Sequence, residues 1–204
     1  MYQVVYLTGA PAVGKSSLTR ALNAAVSPLE VFEYGDRLTK FLMQKHGSPL
    51  SQEELRTKSS LIATPADIQA LDRVLLDFIE SERQRTHIVI DSHAVTKEGY
   101  GFRITPYSLA DFARLAPTQI WCLFTKPETA VERIKIDPKG RPPITIEEAR
   151  LHTFLQASVA TTYGMQLGIP VYLIDGDRPT LDIATELAHR LLAKTPAGKD
   201  RAQG

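Results

Sequence analysis

Gly9, Gly14, Lys15 and Ser16 stand in GAPAVGKSS at the spacing G-x-x-x-x-G-K-[ST]. Glycine at such positions lets a backbone curl until successive N–H groups point at one anion, where a Cβ would obstruct the approach. The main chain through Gly9, Ala10, Pro11, Ala12, Val13, Gly14, Lys15, Ser16 and Ser17 would therefore wrap a chain of phosphates. Lys15 would reach the outer phosphates, and the Ser16 hydroxyl would bind Mg²⁺. The plain alternative is a glycine-rich turn with an exposed lysine. Context argues against it: the apolar run VVYL precedes the loop and the helical pattern SLTRALNAAV follows, bringing its N-terminal partial positive charge to the same place.

Other residues suit the same chemistry. Asp91 ends the apolar run HIVID, and strand ends in sheets of this kind aim into the ligand crevice, so it is a second Mg²⁺ ligand or else a turn former. His93, two residues on, would orient Asp91 or a substrate, or be structural. Asp36 follows Gly35 in EYGDRL and is either a helix cap or an acceptor-side carboxylate. Arg37 beside it would meet an acceptor phosphate or lie on the surface. Arg103, in the glycine-bearing loop KEGYGFRITP on the same edge of the sheet, is the preferred grip on an acceptor phosphate, because a guanidinium binds one bidentately and a lysine does not. Arg133 ends the helical pattern ETAVERIKI, and Lys139 and Arg141 stand in IDPKGRPPIT, a loop that its prolines keep out of a helix. If that loop closes over a triphosphate, these cations offset the charge of the transferring group and expel water. Cys122, the one cysteine, lies in IWCLF and reads as a buried, inert thiol.

These residues need a frame. Apolar runs near 2–7, 30–34, 87–91, 119–124 and 170–175 read as five strands, each followed by a helical pattern. In IQALDRVLLDFIESER the residues Ile68, Leu71, Val74, Leu75, Phe78 and Ile79 recur at three and four, with Pro65 and Asp67 suited to the first turn. Strands apolar almost throughout, alternating with helices, imply an α/β fold with a mostly parallel sheet covered on both faces. Residues 36–84 run helical without a strand, longer than one crossover needs, and suggest an insert holding a second substrate. Residues 1–194 read as one domain and the polar 195–204 as a frayed tail.

The chain has 204 residues, 43% of them hydrophobic, and 24 Lys plus Arg against 23 Asp plus Glu give a net charge of +1. No basic surface for nucleic acid is expected, and no apolar stretch approaches the ~18 residues that cross a bilayer. The opening MYQVVYLTGAP has no basic leader, so the expected location is cytoplasmic.

In order along the chain, VVYLTGAPAVGKSSL, EYGDRL, VIDSHAVTKEGY, KPETAVERI with a short basic loop, and TTYGMQLGIPVYLID resemble the nucleoside monophosphate kinases, and within them the archaeal-type adenylate kinases. The resemblance covers nearly the whole chain. It implies a P-loop NTPase three-layer fold with a five-stranded parallel sheet, a helical acceptor-binding insert at 36–84 and a lid at 135–146. It implies transfer from Mg·ATP to AMP, and a homo-oligomer. By similarity, Gly9 to Ser17 would be the ATP loop, Arg133 and Arg141 the lid arginines, and Asp177, Arg178 and Pro179 a backbone turn against adenine. Two positions depart from the family. Thr39 and Lys40 occupy the neighbourhood where an arginine often follows the Gly-Asp pair, and Ala157 stands where the long helix usually offers another, with Arg150 two turns earlier. Two further readings stay open: a kinase with a hydroxyl acceptor, for which Asp36 or Asp91 would be the base, and a regulatory nucleotide-binding module.

Overall fold

The computed structural model describes residues 2–46 and 63–193, so part of the expected insert and the 195–204 tail lie outside the described residues. The elements run β1 (Val4–Gly9), α1 (Lys15–Ala25), β2 (Leu29–Glu33), α2 (Tyr34–His46), α3 (Pro65–Glu82), β3 (His87–Asp91), β4 (Val95–Glu98) and β5 (Gly101–Ile104). They continue with α4 (Leu109–Leu115), β6 (Gln119–Phe124), α5 (Pro127–Ile136), α6 (Ile146–Leu167), β7 (Val171–Asp175) and α7 (Thr180–Leu192).

Five strands form one parallel sheet in the order β2-β3-β1-β6-β7. All six residues of β1 are buried, which suits its central place, and alternate side chains feed two separate cores. On one face Tyr6, Phe32, Ile88, Ile90 and Ile120 pack with Leu42 of α2, Leu71, Leu75 and Ile79 of α3, Phe112 of α4 and Tyr163 of α6. On the other, Leu7, Val89, Trp121 and Leu123 pack with Leu18 and Leu22 of α1 and Leu187 and Leu191 of α7. Strands buried on both faces read as continuous apolar runs, as β1, β3 and β6 do, whereas the edge strands β2 and β7 expose residues such as Glu30 and Leu173. Among the described residues no helix is long and apolar enough to cross a membrane.

The structure corrects the reading in three places. Val74 is 44% exposed, and Leu76 takes its place on the buried side of α3. The start of that helix is as expected, with Pro65 in the first turn and a capping box between Thr64 and Asp67. Asp36 does not cap α2: the helix already begins at Tyr34, so Asp36 sits within its first turn and pairs with Lys40 at 2.7 Å. The glycine-bearing loop expected at 97–106 falls largely in an antiparallel hairpin, in which Val95 faces Ile104 and Glu98 faces Gly101.

Candidate active site

The C-terminal ends of β1, β3, β6 and β7 meet at one edge of the sheet, where crossovers leave in different directions and a crevice opens. The loop from Gly9 to Gly14 lies there. Gly9 has φ +150°, and a Cβ on it would come 2.5 Å from the Leu123 carbonyl oxygen of the neighbouring strand. Gly14 has φ +100°, in the left-handed region that disfavours any side chain. As the N-cap residue of α1 it offers no side-chain oxygen to the helix; the Ser17 N–H turns back to the Gly14 carbonyl at 3.1 Å, and the Lys15 and Ser16 N–H groups stand at the helix start, where an anion would bind. Ser16 and Ser17, in that turn, are exposed.

Lys15 lies back over its own loop. Its ammonium donates to the Gly9 carbonyl at 3.2 Å and stands 3.8 Å from the Asp91 carboxylate. Both side chains are nearly enclosed, at 14% and 13% exposure. Burial pushes the Asp91 carboxyl above the usual aspartate range, Lys15 pulls it back and Glu33 adds repulsion. Bringing a cation and a carboxylate together beside an anion cradle supplies positive charge for phosphate oxygens and an oxygen ligand for a divalent cation.

Arg133, on the last turn of α5, reaches across to the same loop. Its guanidinium donates to the Ala12 carbonyl at 3.0 Å and to the Gly176 carbonyl at 3.5 Å, with Asp177 3.6 Å away. Asp177 ties two connections together, accepting from the Thr125 hydroxyl and from the Lys126 N–H at 2.9 Å. Arg178 turns instead to Glu186 of α7 at 3.0 Å, and Pro179 is the N-cap residue of α7. Arg141 donates to the Asp137 carbonyl within the loop between α5 and α6, and Lys139 pairs with Asp137 at 2.6 Å. Thus Lys15, Asp91 and Arg133 converge on the loop.

The acceptor-side candidates are held differently. Arg37 lies over the ring of Phe32, 5.0 Å from its centroid, and 5.8 Å from that of Phe78. Arg103 is on β5, ion-paired with Glu98 at 3.0 Å. His93 is exposed in the connection between β3 and β4. Cys122 is buried, its thiol pushed up to about 11 by desolvation, as an inert core residue should be.

Two polar residues of α6 went unnoticed in the sequence. Gln156 donates to the Thr8 hydroxyl at 2.6 Å and accepts the Val95 N–H at 3.2 Å. His152 donates Nε2–H to the Val95 carbonyl at 3.1 Å. Their signal was two polar side chains at i and i+4 in the row Ala149, His152, Gln156 and Ala160, all four buried. Burial lowers the His152 pKa to about 4; the Val95 carbonyl opposes this, and Lys15 and Lys97 add to it. The native state then binds fewer protons than the unfolded chain between the ordinary histidine value near 6.5 and about 4. Stability is therefore full above that window and falls as pH drops through it, by up to about 3 kcal/mol. Buried His87 is lowered too and adds the same sign. His152→Gln, which keeps a donor at the position of Nε2, is expected to flatten the fall in unfolding free energy between pH 6.5 and 4.5 measured by urea denaturation; an unchanged slope would contradict the assignment.

Residues 8–150 match the family model described as an AAA domain. The chain belongs to the AAA domain family. The adenylate kinase of Pyrococcus furiosus is 26% identical over 176 residues, covering 84% of this chain and 85% of that protein. In structure, the tunicamycin resistance protein of Deinococcus radiodurans matches with a TM-score of 0.54 at 15% identity, over 95% of this chain and 98% of that one. Shikimate kinase from Acinetobacter baumannii, in complex with shikimate, matches with a TM-score of 0.54 at 16% identity over 94% of both chains. This AAA-domain protein is a P-loop kinase, a phosphotransferase with a nucleotide-binding loop on a five-stranded parallel sheet.

Proposed function

We propose that this P-loop kinase transfers the γ-phosphoryl group of Mg·ATP to a nucleoside monophosphate, AMP first among them. The observation that carries the reading is Lys15, enclosed between the Gly9 carbonyl and Asp91 at the mouth of an anion cradle with Arg133 across it. Similarity to archaeal adenylate kinases over most of both chains supports AMP as the acceptor. The residues present fit Mg²⁺, which is ordinarily held by one or two protein oxygens plus phosphates: the Asp91 carboxylate lies 3.8 Å from Lys15 at the loop, and the Ser16 hydroxyl is exposed at the start of α1. Ser16 and Asp91 would be those oxygens, and the bound ion would neutralise charge on the phosphate oxygens.

Each protein group then has a task. The loop N–H groups and the start of α1 fix the donor phosphates. Lys15 and Arg133 present positive charge where charge spreads over the transferring group. The turn Asp177 to Pro179 would face the donor base, and Asp36, Arg37, His93 and Arg103 would surround the acceptor. Residues 1–194 are taken as one domain with 36–84 as acceptor insert and 135–146 as lid, Arg141 entering with that lid. A monophosphate oxygen is already nucleophilic, so positioning does most of the work and no base is required. We place the activity in the cytoplasm.

A hydroxyl acceptor is the second reading, favoured by the protein partners that Arg37 and Arg103 already have and by the carboxylates Asp36 and Asp91 near the same edge. An alcohol needs a base. Purified protein with ATP and AMP should yield ADP, and Asp36→Asn should lower that rate less than about fivefold. Loss beyond about a hundredfold with ATP binding intact would instead assign Asp36 as a base. Absence of any diphosphate product would reject the monophosphate acceptor.

A further inference from the structure

Gln156 is fully buried, at 0% exposure, in the middle of a long helix. A buried carboxamide is expensive unless each end finds a partner, and this one spends its two ends on two different parts of the molecule. Nε2 holds Thr8, the residue immediately before the first glycine of the anion loop. Oε1 holds the N–H of Val95, the residue that opens the hairpin after Asp91.

The hairpin lies outside the main sheet, and its first residue, Val95, is buried. Its two strands pair only with each other in their own sheet, apart from the five-stranded one. Parallel pairing of β1 with β3 ends at Asp91, and Ser92 adds one last N–H to the Leu7 carbonyl at 3.1 Å. Beyond that point, side chains of α6 take over: Gln156 and His152 at Val95, Glu148 to Lys97 at 3.0 Å, and the Tyr163 hydroxyl accepting the Tyr107 N–H at 2.7 Å. Of these four, Gln156 also hydrogen-bonds to β1, at Thr8, while Tyr163 packs edge-on against Tyr6 of the same strand. Fully satisfied buried polar networks specify one arrangement where apolar packing tolerates several.

We propose that Gln156 is a positioning residue that holds the anion loop and the Arg103 hairpin in register, so that binding of a nucleotide at the loop orders the hairpin. The inference rests on the phosphotransfer reading only in its kinetic arm.

The test uses the full chain with Mg²⁺ and a nonhydrolysable ATP analogue. In the parent protein the analogue should slow amide exchange of the 95–104 hairpin at least fivefold. Gln156→Met should bind the analogue within twofold of the parent yet lose the slowing. Thr8→Val, which removes the partner at the other end, should lose it too and serves if Gln156→Met folds poorly. Gln156→Glu should keep it, because the Thr8 hydroxyl can reverse and donate to the carboxylate while Val95 N–H still donates, even though a buried charge lowers its Tm. A residue needed only for stability would give the opposite order, with loss tracking Tm. Slowing that survives Gln156→Met, or vanishes in Gln156→Glu along with its Tm, or never occurs in the parent with analogue bound, overturns the proposal. With AMP as acceptor, Gln156→Met should lower kcat/KM for AMP at least tenfold while KM for Mg·ATP stays within twofold. If the parent makes no ADP from AMP, the acceptor reading fails and the exchange result alone decides the role of Gln156.

Discussion

Lys15→Ala should lower kcat by about 10²–10³-fold, the loss that follows removal of a single preorganised charge or donor from a dry site, and should weaken Mg·ATP binding at least tenfold. The lysine stands between a main-chain carbonyl and a carboxylate with little access to water, so no solvent cation replaces it. Its removal also strands Asp91. That carboxyl is already raised by burial and by Glu33, and Lys15 is the group pulling it down. Without the ammonium it shifts further upward and takes a proton closer to neutral pH, which blunts it as a metal ligand. Lys15→Arg should not rescue, because a planar fork does not fit the enclosure that a compact ammonium occupies between Gly9 and Asp91. Steady-state kinetics beside a direct Mg·ATP titration check both halves. Equal affinity for parent and Lys15→Ala would remove the anion-loop assignment itself.

The loop proposed for the donor was legible in the sequence because the chemistry it suggests is local. A phosphate cradle is made by consecutive residues, so spacing alone announces it, and Asp91 needed only the end of an apolar strand. Arg133 was recognised as a cation near a loop, yet its hold on the Ala12 carbonyl depends on α5 lying across the crevice, which no local pattern encodes. The acceptor side resisted for a different reason. Arg103 was read as standing in a glycine-bearing loop, but four-residue strands such as VTKE and GFRI carry too little periodicity to announce a hairpin, and the hairpin gives Arg103 its partner Glu98. Arg37 looked like a free first-turn cation until α3 delivered Phe78 beside Phe32. Gln156 shows the limit most plainly. It bonds to Thr8 and Val95, residues far away in the sequence, and what marked it was only that a polar side chain sat in a buried row.

Gly9→Ala should cost the fold about 2–6 kcal/mol. Two penalties coincide. The backbone at φ +150° lies where a side chain is strained, worth about 1–3 kcal/mol. The new Cβ would also come 2.5 Å from the Leu123 carbonyl and 3.0 Å from a Val13 methyl, and overpacking of this kind costs about 1–3 kcal/mol again. The Leu123 oxygen cannot step aside, because it belongs to β6, paired with β1 on one side and β7 on the other. Against a typical total stability of about 5–15 kcal/mol, such a loss leaves a marginal protein. Gly14→Ala makes the comparison that separates folding from function. Its Cβ would meet nothing within 4 Å, so only the φ of +100° is charged against the fold, while the added methyl stands at the start of α1, where the proposed phosphates would enter. Urea unfolding should therefore rank Gly9→Ala far below Gly14→Ala, and Mg·ATP titration should find nucleotide binding lost in Gly14→Ala despite its intact fold. If Gly14→Ala binds nucleotide as the parent does, the space beside that residue is not where the phosphates lie.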